Sequence, residues 1–177
     1  ERCRAKGILV IFDEVISGFR VHPLGMAGRL GLEPDLATYG KVVGGGFPLG
    51  CFGGRKKYMD LVAPSGPVYQ AGTLSANPIS TRAGLATLKK AERVGAIENL
   101  AARTDRFAAE LRARFAKAGV AWDVTNVASI FWIHPKTDRP IRSLHDVPAS
   151  MRADFPKFFH AAVAEGVYLA PSAFEVG

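Results

Sequence analysis

Two charged residues, Asp13 and Lys41, each follow a short apolar segment that is typical of a β-strand. Asp13 closes Ile8–Asp13, a continuous apolar run that predicts a strand buried on both faces of a parallel sheet. Lys41 follows Leu36–Tyr39, the second predicted strand. Ligands of open α/β sheets bind outside the carboxyl ends of the strands, so neighbouring parallel strands would place this anion and this cation in one crevice.

The position of the glycines relative to Lys41 indicates whether the lysine could belong to a nucleotide-binding P-loop. Gly44–Gly46 follow the lysine, whereas a P-loop has its glycines before the lysine and Ser or Thr directly after it. The segment Ile8–Glu14 also resembles a Walker-B strand, in which Asp13 would hold magnesium and Glu14 would act as a base. A nucleotidase therefore stays open as an alternative, with its P-loop supplied from outside these 177 residues.

One organic cofactor would use both charged residues. A lysine amine has a free pKa of about 10.4, and burial in a crevice lowers that value and favours Schiff-base formation. Pyridoxal phosphate works as an electron sink only while its ring nitrogen stays protonated, and the Asp13 carboxylate would hold that proton. Val15 would press an apolar face against the ring, and the glycines beside Lys41 would allow a close approach.

At these residues the sequence resembles class III pyridoxal-phosphate aminotransferases. The matching segments are Asp13–Arg20, Pro34–Lys41 and Gly44–Gly50. Further segments are similar to the glutamate-1-semialdehyde 2,1-aminomutases of that family, namely Gly66–Pro78, Phe158–His160 and Glu165–Glu175. The resemblance covers essentially the whole chain. It implies the type I fold of pyridoxal-phosphate-dependent transferases, with part of a large α/β domain on a mainly parallel sheet and part of an α+β C-terminal domain.

The resemblance implies a role for each candidate cofactor ligand. Lys41 would be the catalytic Schiff-base lysine and proton shuttle, Asp13 would bind the pyridinium nitrogen, and Val15 would pack on the ring. Gly72 and Thr73 match the family position that reaches the cofactor phosphate of the partner subunit. The resemblance therefore implies a homodimer whose active sites are shared between subunits.

The implied reaction is the conversion of glutamate-1-semialdehyde to 5-aminolevulinate in tetrapyrrole biosynthesis, with Tyr69 a candidate for substrate contact. A class III omega-type aminotransferase, which moves an amino group from an amine or amino acid to a keto acid, stays open. Phe47 stands where many relatives carry methionine, and His22-Pro23 is more typical of aminotransferase modules in peptide and polyketide synthases. A non-catalytic relic that uses the scaffold to bind partners also stays open.

The secondary structure predicted from the sequence alternates strands and helices. We expect the large-domain part to span residues 1–118 and the small-domain part to span residues 119–177. Asn77-Pro78 is typical of a helix start, and helices are predicted to about Arg93, over Ala96–Ala118 and over Ala153–Glu165. The other predicted strands are Leu49–Gly53, Val120–Val124, Ser129–His134 and Val167–Ala170.

The ends of the chain suggest a longer coding sequence. The first residue is Glu1, and Ala170–Gly177 stops where a turn should lead further. By the resemblance, the phosphate-cradling loop, the residue on the other ring face and the substrate-carboxylate ligands would lie upstream. We therefore expect the 177-residue chain alone to be inactive, because binding and positioning supply much of catalysis.

The charged residues, histidines and cysteines limit which binding partners the sequence predicts. Lys and Arg total 23 against 16 Asp and Glu, but the positive residues form no dense run, so neither a nucleic-acid nor a membrane partner is expected. The four histidines are scattered, and no metal site is predicted. Cys3 and Cys51 form no CxxC motif, have no metal spacing and lie in apolar segments, which predicts buried free thiols in a cytoplasmic protein.

Overall fold

A three-stranded sheet contains Asp13, and Lys41 lies just beyond its second strand. In the computed structural model, which describes residues 1–177, strand β1 is Ile11–Asp13, β2 is Leu36–Tyr39 and β3 is Cys51–Gly54. Strands β1 and β2 are parallel, and β3 runs antiparallel to β2. The predicted α/β class is confirmed, and within these residues one strand pair is parallel and the other is antiparallel.

Strand β1 is shorter and more exposed than its apolar sequence predicts. The side chains of Ile8 and Leu9 precede it and are 52% and 46% exposed, and Ile11 within it is 58% exposed. In the order β1-β2-β3, β1 lies at an edge and pairs with one strand only. The prediction that both faces are buried is wrong. An apolar run shows that burial would be favourable, but it does not show that other elements cover both faces.

Four helices accompany this sheet. They are α1 (Arg2–Ala5), α2 (Gly25–Arg29), α3 (Lys56–Met59) and α4 (Pro78–Arg93). Helix α4 begins where the sequence predicts, because Asn77 Oδ1 accepts hydrogen bonds from the N–H groups of Ile79 (2.9 Å) and Ser80 (3.2 Å). Pro78 follows as the first helical residue, where its missing N–H has no cost.

The C-terminal part packs two helices on a hairpin. Helix α5 is Ala96–Lys117, β4 is Trp122–Val127, β5 is Ile130–Pro135 and α6 is Met151–Ala164. Strands β4 and β5 are antiparallel. Three buried residues form the core cluster, and partly buried side chains pack around it: Ala108, Val124 and Ile133, then Leu111, Phe115, Trp122, Phe131, Phe158 and Leu169.

The chain divides into two compact units, Glu1–Ile97 and Glu98–Gly177. Most of α5 belongs to the second unit, because Ala108 is part of the core that β4 and β5 supply. The domain boundary after residue 118 stays a prediction. The predicted strand Val167–Ala170 is wrong, since those residues form no strand. No helix combines the length and the apolar character needed to cross a membrane.

Candidate active site

The Asp13 carboxylate lies at the carboxyl end of β1. Its Oδ1 accepts a hydrogen bond from the N–H of Val15 at 3.0 Å and a long one from the Thr38 hydroxyl at 3.5 Å. Both hydrogen bonds that the structure gives Asp13 fall on Oδ1, and the residue is exposed. One oxygen therefore orients the carboxylate, and Oδ2 can accept a proton donor from outside the chain.

Lys41 lies beyond the carboxyl end of β2, at the same edge of the sheet. Asp13 pairs with Thr38 across the parallel strands, and Lys41 follows three residues later. Lys41 opens a one-turn 3₁₀ helix, Lys41–Gly44, which we call the lysine turn. The lysine side chain is exposed, so the expected burial is not found, and its amine is open to a ligand at this edge.

The backbone of Lys41 has an uncommon conformation. Its φ of 48° lies in the left-handed region, which is unfavourable for a residue with a Cβ atom. Such a conformation costs about 1–3 kcal/mol and persists only where the surrounding structure imposes it. Residues of this kind cluster at functional sites, which makes Lys41 a functional candidate on geometric grounds as well as by its chemistry.

Val15 lies against the backbone that leads into Lys41. A methyl group built on Gly40 would lie 3.2 Å from Val15 Cγ1 and 3.6 Å from Cγ2. The N–H of Glu14 donates to the Thr38 carbonyl at 2.9 Å, which continues the strand pairing beyond β1. The structure thus brings Asp13, Val15 and Lys41 to one edge of the sheet.

Glu14, next to Asp13, is a structural carboxylate. Its side chain is 1% exposed. Oε2 accepts hydrogen bonds from the Ser17 hydroxyl and from the N–H of Met26 (2.8 Å), and Oε1 accepts one from the N–H of Ala27 (2.8 Å). A carboxylate held by three internal donors is not free to activate water, so the structure does not support the catalytic base of the nucleotidase alternative.

The start of α2 is shaped around this carboxylate. A methyl group on Gly25 would lie 2.2 Å from Glu14 Oε2, and Gly25 has a φ of 64°, so only glycine fits without strain. Burial by itself raises the pKa of Glu14, but the hydrogen bonds from Ser17, Ala27 and Met26 outweigh it and hold the pKa below its usual value. The sequence pattern does not reveal this anchor, because its donors lie up to 13 residues away.

The other predicted site residues lie in the segment before α4. Gly72 and Thr73 are exposed, and Tyr69 is 84% exposed. The Gly72 carbonyl accepts a hydrogen bond from the N–H of Ser75 at 2.9 Å. No hydrogen bond or ion pair of the structure joins Tyr69, Gly72 or Thr73 to Asp13 or Lys41, so a common site for these five residues stays a prediction.

The cysteines and histidines form no further site with the acidic residues. No group of three or more His, Cys, Asp or Glu side chains is arranged to hold a metal ion. Cys3 and Cys51 are free and both exposed, so the expectation of buried thiols is wrong. His134 is buried, with Nε2 at 2.9 Å from Thr125 Oγ1 and Nδ1 at 2.8 Å from the Pro135 carbonyl. Both ring nitrogens therefore contact residues of the β4–β5 hairpin.

The family model described as aminotransferase class-III matches residues 1–176. The chain belongs to the class-III aminotransferase family. A curated relative is the glutamate-1-semialdehyde 2,1-aminomutase of Bdellovibrio bacteriovorus, which is 55% identical over 177 residues, covering 100% of this chain and 42% of that protein. The chain thus spans about two fifths of the length of the curated relatives it matches.

Two solved structures place the class-III fold on this chain. A β-phenylalanine aminotransferase from Variovorax paradoxus is 35% identical with a TM-score of 0.83, covering 96% of this chain and 39% of that one. A glutamate-1-semialdehyde aminomutase from Pseudomonas aeruginosa PAO1 in complex with PMP is 25% identical with a TM-score of 0.71, covering 96% and 39%. The predicted type I fold is therefore confirmed.

Proposed function

We propose that the chain is the lysine-bearing part of a glutamate-1-semialdehyde 2,1-aminomutase that uses pyridoxal 5'-phosphate. The observation that supports the mutase most directly is the 55% identity to an aminomutase across all 177 residues. The arrangement of Asp13, Val15 and Lys41 at one sheet edge supports the cofactor. The proposed reaction moves an amino group from C2 to C1 of the amino-aldehyde, so that substrate and product have the same atoms.

The residues at this edge fit the cofactor. Pyridoxal phosphate, when bound, offers an aldehyde to a lysine amine and a protonated ring that withdraws electrons from the substrate carbon. Asp13 Oδ2 has no partner in the chain and can accept the ring N–H as a charge-assisted hydrogen bond. Val15 supplies an apolar contact for one ring face, and Lys41 presents an exposed amine.

Each of these side chains has a distinct task in the proposed mechanism. Asp13, oriented by the N–H of Val15, keeps the ring nitrogen protonated. Val15 keeps water from the ring face and orients the ring by contact. Lys41 Nζ would hold the cofactor and, when free, could carry a proton to and from the reacting carbon of the substrate.

We further propose that Gly72 and Thr73 bind the cofactor phosphate of a partner subunit in a homodimer. A backbone N–H and a hydroxyl are suitable phosphate donors, and both residues are exposed in this chain, where they can meet a second copy. Tyr69, 84% exposed in the same segment, would contact the substrate. The proposed location is the cytoplasm, which the two free thiols of Cys3 and Cys51 support.

The first experiment tests the cofactor. The protein expressed from its complete coding sequence should bind pyridoxal phosphate, absorb visible light, and retain the cofactor on the Lys41 peptide after borohydride reduction. Lys41→Ala should abolish this covalent retention. Lys89→Ala, which removes an exposed lysine of α4, is the matched control and should retain it. A reducible cofactor that stays covalently bound in Lys41→Ala would contradict the proposal.

The second experiment separates the two candidate activities. A class-III aminotransferase is the second candidate, because the Variovorax aminotransferase is 35% identical to this chain while the Pseudomonas aminomutase is 25% identical. A mutase should form 5-aminolevulinate from glutamate-1-semialdehyde with no keto acid present. Turnover that starts only when a keto acid is added would identify the aminotransferase instead.

A further inference from the structure

Helix α4 packs directly on the lysine turn, and a glycine lies at the contact. A methyl group built on Gly84 would lie 2.1 Å from the carbonyl oxygen of Val43, a separation that real Cβ atoms do not show. Gly84 and Val43 are both buried. The backbone of α4 therefore touches the backbone of the lysine turn without a side chain between them.

A second close contact lies on the same face of α4. Gly45 ends the lysine turn with a φ of 60°, and a methyl group there would lie 2.3 Å from Thr87 Oγ1 and 2.8 Å from the Ala83 carbonyl. Thr87 follows Gly84 by three residues, a spacing that places both on one side of a helix. Helix α4 thus holds the end of the turn that lies away from Lys41.

The contact matters for Lys41 because the lysine turn is short. The turn has four residues, so a displacement at Val43 reaches Lys41 only two residues earlier. Lys41 itself keeps a left-handed backbone, with a φ of 48°, which the surroundings must impose. The structure offers two restraints, Val15 against Gly40 on one side and α4 against the turn on the other.

We propose that Gly84 is a positioning residue for Lys41: its missing side chain lets α4 set the backbone of the lysine turn and with it the direction of Nζ. The inference rests on the function proposed above. Val43 cannot give way cheaply, because the atom in contact is a backbone carbonyl and not the end of a flexible side chain. Gly84→Ala therefore displaces the turn.

The main test compares Gly84→Ala with the wild-type holoenzyme. A misplacement of about 1 Å at a catalytic group costs on the order of a hundredfold in rate. We expect kcat to fall at least about tenfold with a smaller change in KM. The visible absorbance of the lysine-linked cofactor should also titrate at a different pH, because the amine meets the cofactor in another geometry.

A second measurement needs no cofactor and no activity. In the apo protein, reductive methylation labels Lys41 and Lys89, both exposed, and peptide mass spectrometry gives the ratio of their rates. Gly84→Ala should change this ratio at least about twofold, because it displaces the backbone of the lysine turn and leaves Lys89 with its own surroundings.

Two controls separate positioning from simple destabilisation. Gly53→Ala adds a methyl group where nothing lies within 4 Å, and it should behave as wild type in every assay. Ile133→Val trims the core cluster of the second unit and lowers stability there. Thr87→Ala removes the hydroxyl that faces Gly45, a milder change on the same face of α4, and should also change the labelling ratio.

The outcomes are distinct. If Gly84→Ala and Thr87→Ala lose stability but keep the kcat and the labelling ratio of Ile133→Val, the inference is overturned. If Gly84→Ala fails to fold, Thr87→Ala decides by the same two readouts. A wild-type enzyme without a lysine-linked cofactor would instead contradict the proposed function, while the labelling ratio would still test the positioning of Lys41.

Discussion

The side chain of Val15 lies against Gly40, so close that a methyl group on Gly40 would stand 3.2 Å from Val15 Cγ1. Both residues are close in sequence to a predicted cofactor ligand: Asp13 precedes Val15 by two positions, and Lys41 follows Gly40 directly. This contact joins the two strand ends that carry the opposite charges. It is the geometric basis for the predictions on the cofactor site.

Val15→Ala should weaken cofactor binding without abolishing it. The change removes two methyl groups that lie beside Gly40, and each buried methylene-sized group contributes about 0.8 kcal/mol. We expect the dissociation constant for pyridoxal phosphate to rise roughly tenfold. Equilibrium titration of the visible absorbance measures it. The control is Ile16→Ala at the next position, where the side chain is 38% exposed. An equal effect of both changes would count against a ring contact at Val15.

Asp13→Asn should lower activity while leaving the fold intact. Asparagine keeps an oxygen that can accept from the N–H of Val15, so the local turn persists, but it carries no charge for a protonated ring nitrogen. Hydrogen bonds to charged groups contribute about 1.5–3 kcal/mol, so kcat should fall about ten- to a hundredfold.

The control for Asp13→Asn is its thermal stability. Its Tm should match that of the wild type, because the hydrogen bond that the structure shows on Oδ1 is retained. A variant with full kcat would show that the Asp13 charge does not serve the reaction. A variant that unfolds would show a structural role for the carboxylate instead.

Glu14→Gln should destabilise the protein and reduce the pH dependence of its stability. The side-chain amide would face backbone N–H donors at the start of α2, and an unsatisfied buried group costs about 1–3 kcal/mol. Internal hydrogen bonds hold the folded-state pKa of Glu14 below its unfolded value, so its contribution is complete above about pH 4.3 and is lost as pH falls through the folded-state pKa.

Urea unfolding between neutral and acidic pH measures this effect. The difference in unfolding free energy between wild type and Glu14→Gln should shrink as the pH falls. Glu33→Gln is the matched control, since the Glu33 side chain is 85% exposed and its ion pair with Arg55 is at the surface. A difference that stays constant with pH would mean that the low pKa of Glu14 does not contribute.

Asn77→Ala should destabilise α4 at its start. The change removes an acceptor for two backbone N–H groups, those of Ile79 and Ser80, and such caps contribute about 0.5–2 kcal/mol. Asn77→Asp keeps an acceptor oxygen and should lose much less. Chemical denaturation of both variants makes the comparison, and equal losses would show that the side-chain cap is not what stabilises this helix end.

Local chemistry in the sequence was sufficient for several elements. Leu36–Tyr39 is a strand as predicted, Asn77 caps the helix that Pro78 begins, and Ala96–Lys117 is helical within one residue of the expected end. These features depend on neighbours a few positions apart, and short-range hydrogen bonds and side-chain periodicity are properties of the sequence. The position of Asp13 and Lys41 at one edge of the sheet also followed from the sequence, because each lies at the carboxyl end of one of two parallel strands.

Contacts between distant residues were decided by the tertiary structure. Glu14 became a buried anchor because Met26 and Ala27 fold back on it, and Gly84 became a contact because α4 packs on Val43. The exposure of Ile11 and the absence of a strand at Val167–Ala170 have the same origin.

The sequence alone predicted which residues would carry the chemistry, and it placed them at the carboxyl ends of two strands. It also determined the family that the chain resembles. What surrounds each of these residues depends on how the chain folds. The left-handed backbone of Lys41 shows the difference, since its φ of 48° is unfavourable locally and is imposed by the elements packed around it. Propensity acts over a few residues, whereas burial and strain depend on partners that only the folded chain brings together.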